Sequence, residues 1–408
     1  MSFRWFPGHV ITGFILLILL IAGTTGTFGA DTTIRFTTSL AEAEWKVMRE
    51  VVWPMFEKQT GVRIEASPVE AADLGKILMA MVRAKRMEID IFAQDNMRIA
   101  ELVDMGVVED LSAYRPAIPP EVPEALVEGG VIDKKLYFLP YRPNVQITYG
   151  NSKKLKSYGL KPPKDWYELF HVAKTLYEKE GIGRILFKAT GGAPTTTQLY
   201  EWIIAAGGDP FAFNDVGCVI TFTYLQRLWP YVHPDSKKAK WDTSNEYMAR
   251  ESVYLAQNWP FGVPLIVQDW GKKWLATYHG WAGPYREAHV IGGEVLGIPK
   301  GSPRRDVALK FARFLQSRET QEVLVARLGW PPIREDALTD VQEWMKPHFK
   351  AVMDAMKHGV FRANVPFWAE FDSLLNEAFF RIVLRGEEVE RVLDNSHERM
   401  ERAKKRYK

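Results

Sequence analysis

Leu136-Tyr137-Phe138-Leu139-Pro140-Tyr141, continuing as Arg142-Pro143-Asn144-Val145-Gln146-Ile147-Thr148-Tyr149, is the stretch on which the reading of this chain turns. It is long and extended in pattern, and its two prolines deny it a central place in a sheet over that part. An extended segment with an interrupted ladder predicts a strand crossing between two domains. On either side the chain alternates strand-like and helix-like stretches, which predicts an α/β protein.

Upstream, Thr33–Thr37 reads as a short strand, and Ser39-Leu40-Ala41-Glu42 as a capping box opening a helix. Trp45, Met48, Val51, Val52, Met55 and Phe56 recur at helical spacing, with Pro54 set to kink the pattern and Gly61 to stop it. Strands are expected at Val62–Ala66 and Ile89–Ala93, with a helix at Leu74–Arg86 between them. This βαβαβ rhythm predicts parallel strands whose carboxyl ends carry the useful loops. Downstream, Asp165 and Glu168 mark a helix start, and Val307–Leu315, Glu319–Leu328 and Ala369–Val383 have helical apolar spacing. Gly329 and Gly386 fit the positions of C-caps.

The 408 residues suit about two or three domains. A composition 47% hydrophobic and 25% charged excludes a disordered or polytopic membrane chain. With 53 Lys and Arg against 50 Asp and Glu, the excess is a weak argument for nucleic acid, which wants a concentrated basic face, and the basic C-terminus from Arg399 reads as a solvated helix end. At the start, Arg4, an apolar run from Val10 to Ala22 and small residues to Ala30 read as a secretory signal. The run is about 13 residues, short for a membrane span, so cleavage near Gly29 or Ala30 is favoured over an anchor. A lipoprotein needs a cysteine after the run. Cys218 is the single cysteine, so lipid anchoring of that kind, an internal disulfide and a Cys-based metal site are all excluded.

The sequence has no GxSxG elbow, HExxH, Walker lysine loop or GxGxxG. Its eight histidines include no pair at i, i+3 or i, i+4, so neither a metal site nor a cofactor is expected. The informative residues are acids and amides at expected strand ends, interleaved with tryptophans. Sugars need that mixture: polar groups for hydroxyls and flat rings for C–H faces. Trp259 opens a loop and Trp368 precedes a helix, and both are candidates for stacking; Trp45 and Trp53 are helix core, and Asp95 and Asn96 end a buried strand.

Four stretches together resemble a known family: Ile34–Trp45; Ile89–Asn96 with Gly106–Leu111; Lys135–Leu155 running on to Leu160–Leu169; and Gly292–Ser302 with Ala308–Ser317. The chain resembles the extracellular solute-binding proteins of ABC carbohydrate uptake, the group that includes maltose-binding and trehalose/maltose-binding proteins. The resemblance implies a two-lobe periplasmic-binding-protein fold with hinge strands and the ligand in the interlobe cleft. It places residues 31–142 and 284–333 in one lobe, and 143–283 and 334–408 in the other. It also carries over the ligand-binding candidates Glu42, Asp95, Asn96, Arg142, Asn144, Trp259, Gly293, Glu294, Arg362 and Trp368. Thr195, Thr196 and Gln198, in an expected variable loop, rank last. Relatives often carry an acid at Asn144 and a tryptophan at Glu294, which leaves the identity of the sugar open.

The expected function is an exported monomeric receptor that closes on a sugar, a di- or oligosaccharide, and delivers it to a membrane permease. A second reading keeps the fold but binds a polyamine, a metal complex or a polyol phosphate. A third makes the chain an enzyme, with Cys218 as nucleophile or Glu42 and Asp95 acting on a glycoside.

Overall fold

The computed structural model describes residues 33–338 and 341–407, the side chains of residues 125 and 335 excepted. The expected signal segment over residues 1–30 lies outside them. Among the described residues no helix is long and apolar enough to cross a membrane.

The strands, in chain order, are β1 (Thr33–Thr38), β2 (Arg63–Pro68), β3 (Ile91–Asp95), β4 (Val131–Ile132), β5 (Lys135–Leu136), β6 (Phe138–Val145), β7 (Ile147–Asn151), β8 (Ile185–Leu186), β9 (Leu255–Asn258), β10 (Leu275–Tyr278), β11 (His289–Gly297) and β12 (Gly359–Phe361). One sheet runs β12-β11-β3-β1-β2, with β6 also on β11; a second runs β10-β7-β9-β8. β1 pairs in parallel with β2 and with β3, as the βαβαβ rhythm requires. β8 and β9 are parallel in the second sheet, and β7 is antiparallel to both β9 and β10.

The decisive stretch is β6 followed by β7, with Gln146 alone between them, so one extended segment leaves the first sheet and enters the second. Among the described residues β6 pairs only with β11, and a strand with one neighbour tolerates Pro140 and Pro143. β11 is the pivot of the first sheet. Its residues 289–291 pair with β12, 294–297 with β3 and 291–297 with β6. β12 belongs to the segment 334–408, expected to accompany the second sheet, yet it hydrogen-bonds into the first.

The first helix begins two residues later than its spacing suggests. Ala41 is the N-cap, and Glu44 rather than Glu42 reaches back to accept from its backbone N–H at 2.9 Å. The helix Glu42–Val47 passes through a π-turn at Met48–Val52 into the helix Trp53–Thr60. That irregularity stands just before Pro54, whose missing N–H breaks the regular ladder. Gly61 ends the helix in the left-handed conformation at φ 71°. Asp165 caps the helix Trp166–Glu180 by accepting from Glu168 N–H at 2.8 Å.

Gly293 is required by the β6–β11 crossing. Its φ is 128°, and a Cβ there would stand 2.2 Å from the Arg142 carbonyl oxygen. Gly293→Ala is expected to cost about 1–3 kcal/mol or more, because the strain falls on backbone that cannot swing aside. Urea unfolding checks this: an unchanged midpoint would show that the two strands part freely.

Candidate functional site

The crossing strands wall a cavity of about 260 Å³. Pro140–Pro143 of β6 and Ile291–Val295 of β11 form its floor, and Asn96 follows β3. Phe361, Arg362 and Asn364 come from the end of β12, and Leu126, Gly129, Val131 and Ile333 complete it. The register shifts between Glu294 and Val295, so that Tyr141 is an extra residue on β6 and stands beside Arg142 in the wall.

Arg142 organises one side. Its Nη1 donates to Glu44 Oε1 at 2.5 Å, and its Nη2 lies 3.2 Å from Glu294 Oε1. The guanidinium rests 4.3 Å from the centre of the Trp330 ring, whose Nε1 donates to the same Glu44 oxygen at 2.9 Å. One cation thus sits between two buried carboxylates under an indole face. The two acids hold Arg142 fully protonated against its burial. Burial, with Glu44 and Asp95 nearby, pushes the Glu294 carboxyl up to about 7 although Arg142 pulls it down. Burial likewise raises the Tyr141 phenol, which stays a donor.

Arg362 organises the other side. Its Nη2 donates to Asp95 Oδ1 and Oδ2 at 3.0 and 3.2 Å, and its Nη1 to Thr197 Oγ1 at 3.0 Å. Asp95 also caps the short turn at Asn96–Arg98 by accepting from Met97 N–H. The ion pair joins the end of β3 in the first sheet to the helix Ala193–Ala205. Asn364 adds a tie by accepting from Ala100 N–H at 2.8 Å.

Among the cavity-lining residues, five buried polar atoms have no hydrogen-bond partner: Asn96 Oδ1, Tyr141 Oη, Arg142 Nε, Glu294 Oε2 and Arg362 Nε. Leaving such atoms unpartnered costs about 1–3 kcal/mol each, so unsatisfied polar groups are concentrated in the residues of this one wall.

Asn96, Arg142, Gly293, Glu294 and Arg362 meet at this cavity, with Asp95 behind Arg362. The other candidates lie elsewhere. Glu42 is exposed, its side chain 89% accessible, and the buried acid near Arg142 is Glu44. Asn144 is buried and turns its amide oxygen to Val145 N–H. Trp259 lies behind the wall, so close that a Cβ on Gly292 would stand 2.6 Å from its ring. Trp368 is buried in an aromatic cluster with Phe371, Tyr200 and Phe211. Thr195, Thr196 and Gln198 are not in a loop but within the helix Ala193–Ala205, fully buried. There Thr195 accepts from Gly191 N–H and Thr196 from Asn376.

Glu44, Tyr141, Trp330 and the half-exposed Phe361 escaped the sequence reading. For Glu44, the signal available was its helical phase with the buried Trp45 and Met48. Cys218 is buried, and burial raises its thiol well above the ordinary range, so it is no nucleophile. Histidine spacing gave no hint of a metal site, yet the fold brings His279, Glu287 and His289 together.

Residues 54–351 match the model of the family described as bacterial extracellular solute-binding protein. The chain belongs to that family. This solute-binding protein is 24% identical over 340 residues to a Deinococcus radiodurans protein named probable ABC transporter-binding protein, covering 75% of this chain and 77% of that one. Its fold is similar to maltose-bound MalE3 of T. maritima, at TM-score 0.81 and 19% identity over 91% of this chain and 99% of that one. It is also similar to UgpB from Mycobacterium tuberculosis in complex with glycerophosphocholine, at TM-score 0.79 and 16% identity over 92% and 99%. These likenesses show the two-lobe periplasmic-binding-protein fold. Family membership makes the chain an exported solute-binding protein of an ABC importer and not an enzyme.

A folded-state pKa above the ordinary value of 4.5 makes Glu294 contribute stability that is complete below about pH 4.5 and lost as pH rises through 7. Relative to Glu294→Gln, the wild-type chain is expected to lose about 2–3 kcal/mol between pH 5 and 8. Melting temperatures of both proteins across that range check it, because groups common to both cancel. Parallel profiles would mean that Glu294 is ionised throughout.

Proposed function

We propose that this solute-binding protein captures a neutral sugar in the cavity beneath the crossing strands, closes on it and presents it to the importer's membrane permease. The observation that carries the reading is the lining itself, which sets the amides of Asn96 and Asn364 and the side chains of Arg142, Glu294 and Arg362 beside apolar walls. A guanidinium only donates, a carboxylate accepts and an amide does both. A hydroxyl is donor and acceptor at once, so a polyhydroxy ligand satisfies both kinds with one repeated group. The apolar walls at Leu126, Val131, Ile291 and Ile333, with Phe361 half-exposed beside them, suit the C–H faces of a ring.

Charge bookkeeping separates this from the polyamine and polyol-phosphate readings. The ionisable residues lining the cavity are Arg142, Glu294 and Arg362, and Glu44 and Asp95 stand behind them. With Glu294 taking up a proton near neutrality, two guanidiniums face two carboxylates and no net charge is left to attract an ion. A phosphate would need an excess of positive charge, and both guanidinium charges are already paired with acids. A cavity of about 260 Å³ falls just under the usual ligand-pocket range of about 300–1,000 Å³, which favours the short end of the saccharide series, one or two rings.

Closure is assigned to the ties between the sheets. The proposed lobes are residues 31–142 with 284–333 and 143–283 with 334–408, and the Asp95–Arg362–Thr197 chain crosses between them. A ligand touching both sides binds the closed form better and shifts the population towards it.

A thermal-shift screen of the full chain against mono-, di- and trisaccharides, polyamines and sugar phosphates tests the reading. A neutral sugar at a hundred times its Kd is expected to stabilise by about 2.7 kcal/mol. Arg362→Ala should abolish that shift, since it removes both a ligand donor and the interlobe tie. A shift confined to cations or phosphates would overturn the sugar reading, and a full sugar shift in Arg362→Ala would overturn the site.

A further inference from the structure

We propose that His279, Glu287 and His289 form a binding site for a divalent transition metal ion of the zinc type, separate from the ligand cavity. One ligand atom from each residue lies within 4.8 Å of the others. Glu287 Oε1 is the shared centre: it is bonded to His279 Nδ1 and lies 2.8 Å from His289 Nε2. The second carboxylate oxygen is 3.7 Å from His358 Nε2, which supplies a third imidazole, and a fourth ligand, within a side-chain rotation. Two imidazoles and a carboxylate with a fourth position at hand are a characteristic zinc donor set, with metal bonds of about 2.0–2.2 Å. Ligand atoms on such an ion stand about 3.4 Å apart, so the cluster needs to open by only about an ångström to admit it.

The surroundings fix His289 for this task. Its side chain is fully buried, and its Nδ1 has no hydrogen-bond partner but faces Glu201 Oε1 at 3.7 Å. Glu201 is itself held, accepting from Gln257 Nε2 at 2.6 Å and from Val290 N–H at 2.7 Å. A carboxylate behind one imidazole nitrogen selects the tautomer that leaves the other nitrogen's lone pair for a metal. Gly280 lets the loop lie on that ring, since a Cβ there would stand 2.0 Å from His289 Cε1. The close approach brings His279 to the cluster.

The placement gives the ion a consequence. His289 is the first residue of β11, and His358 immediately precedes β12. The same two strands reach the ligand cavity at Ile291 and Phe361. A bound ion would pin the 279–287 segment to the root of the crossing strands. The site stands on its own residues and does not depend on the ligand being a sugar.

The test is calorimetric titration of Zn²⁺ into the full chain, prepared without a histidine tag and stripped with chelator, alongside thermal shift. One equivalent is expected to bind at micromolar Kd or tighter and to raise the melting temperature. His279→Ala and Glu287→Gln alter partly exposed side chains and leave the buried His289 in place; each is expected to weaken binding at least tenfold. His171→Ala, on the exposed face of the helix Trp166–Glu180, is expected to leave it unchanged. Binding no tighter than millimolar, or one-equivalent binding that survives both substitutions in folded protein, overturns the proposal.

Discussion

A single guanidinium between two carboxylates organises the cavity at the crossing strands. Arg142 lies on a strand with only one neighbour, and it ties the first helix through Glu44 to the pivot strand through Glu294. Trp330 closes over it and donates to the same acid, so the cluster joins four distant segments of chain. Burying ions is expensive unless every partner is in place, and removing one partner of such a pair costs about 3–5 kcal/mol. The cluster is therefore a poor source of net stability and a strong constraint on register. If β6 slipped by one residue on β11, Arg142 would lose both acids.

The same constraint shapes the chemistry of the cavity. Burial, together with the nearby Glu44 and Asp95, pushes the Glu294 carboxyl up to about 7 although Arg142 pulls it down. The lining then offers fixed donors and acceptors with little net charge, which is the environment that a polyhydroxy molecule can satisfy. On the opposite side the Arg362–Asp95 pair joins the ends of β12 and β3, and Arg362 carries the tie on to Thr197 of the helix Ala193–Ala205.

How much of this was legible beforehand varies with the range of the interaction. The crossing segment was readable because proline restricts strand pairing locally. Asp165 was readable as a cap because its partner is three residues away. The π-turn ahead of Pro54 shifted nothing that spacing could not bracket. Glu42 and Glu44 differ only in helical phase, and the phase followed a cap at Ala41 that has no side-chain signature. Trp368 and the threonines near 195 look like loop ligands in sequence. They are buried because helices packing from far along the chain cover them.

The sequence by itself determined the α/β alternation, the strand that passes between the sheets, and the family, because these rest on local periodicity and on motifs kept in order. It also determined which residue types were available for binding. Only the tertiary structure decided which of them meet. The pairing of Arg142 with Glu44 spans 98 residues, and that of Arg362 with Asp95 spans 267. His279 and His289 carry no helical spacing, and they converge on Glu287 because a glycine lets one backbone lie against a buried ring. Contacts of that kind are set by sheet register and by close packing, and neither leaves a periodic trace in the chain.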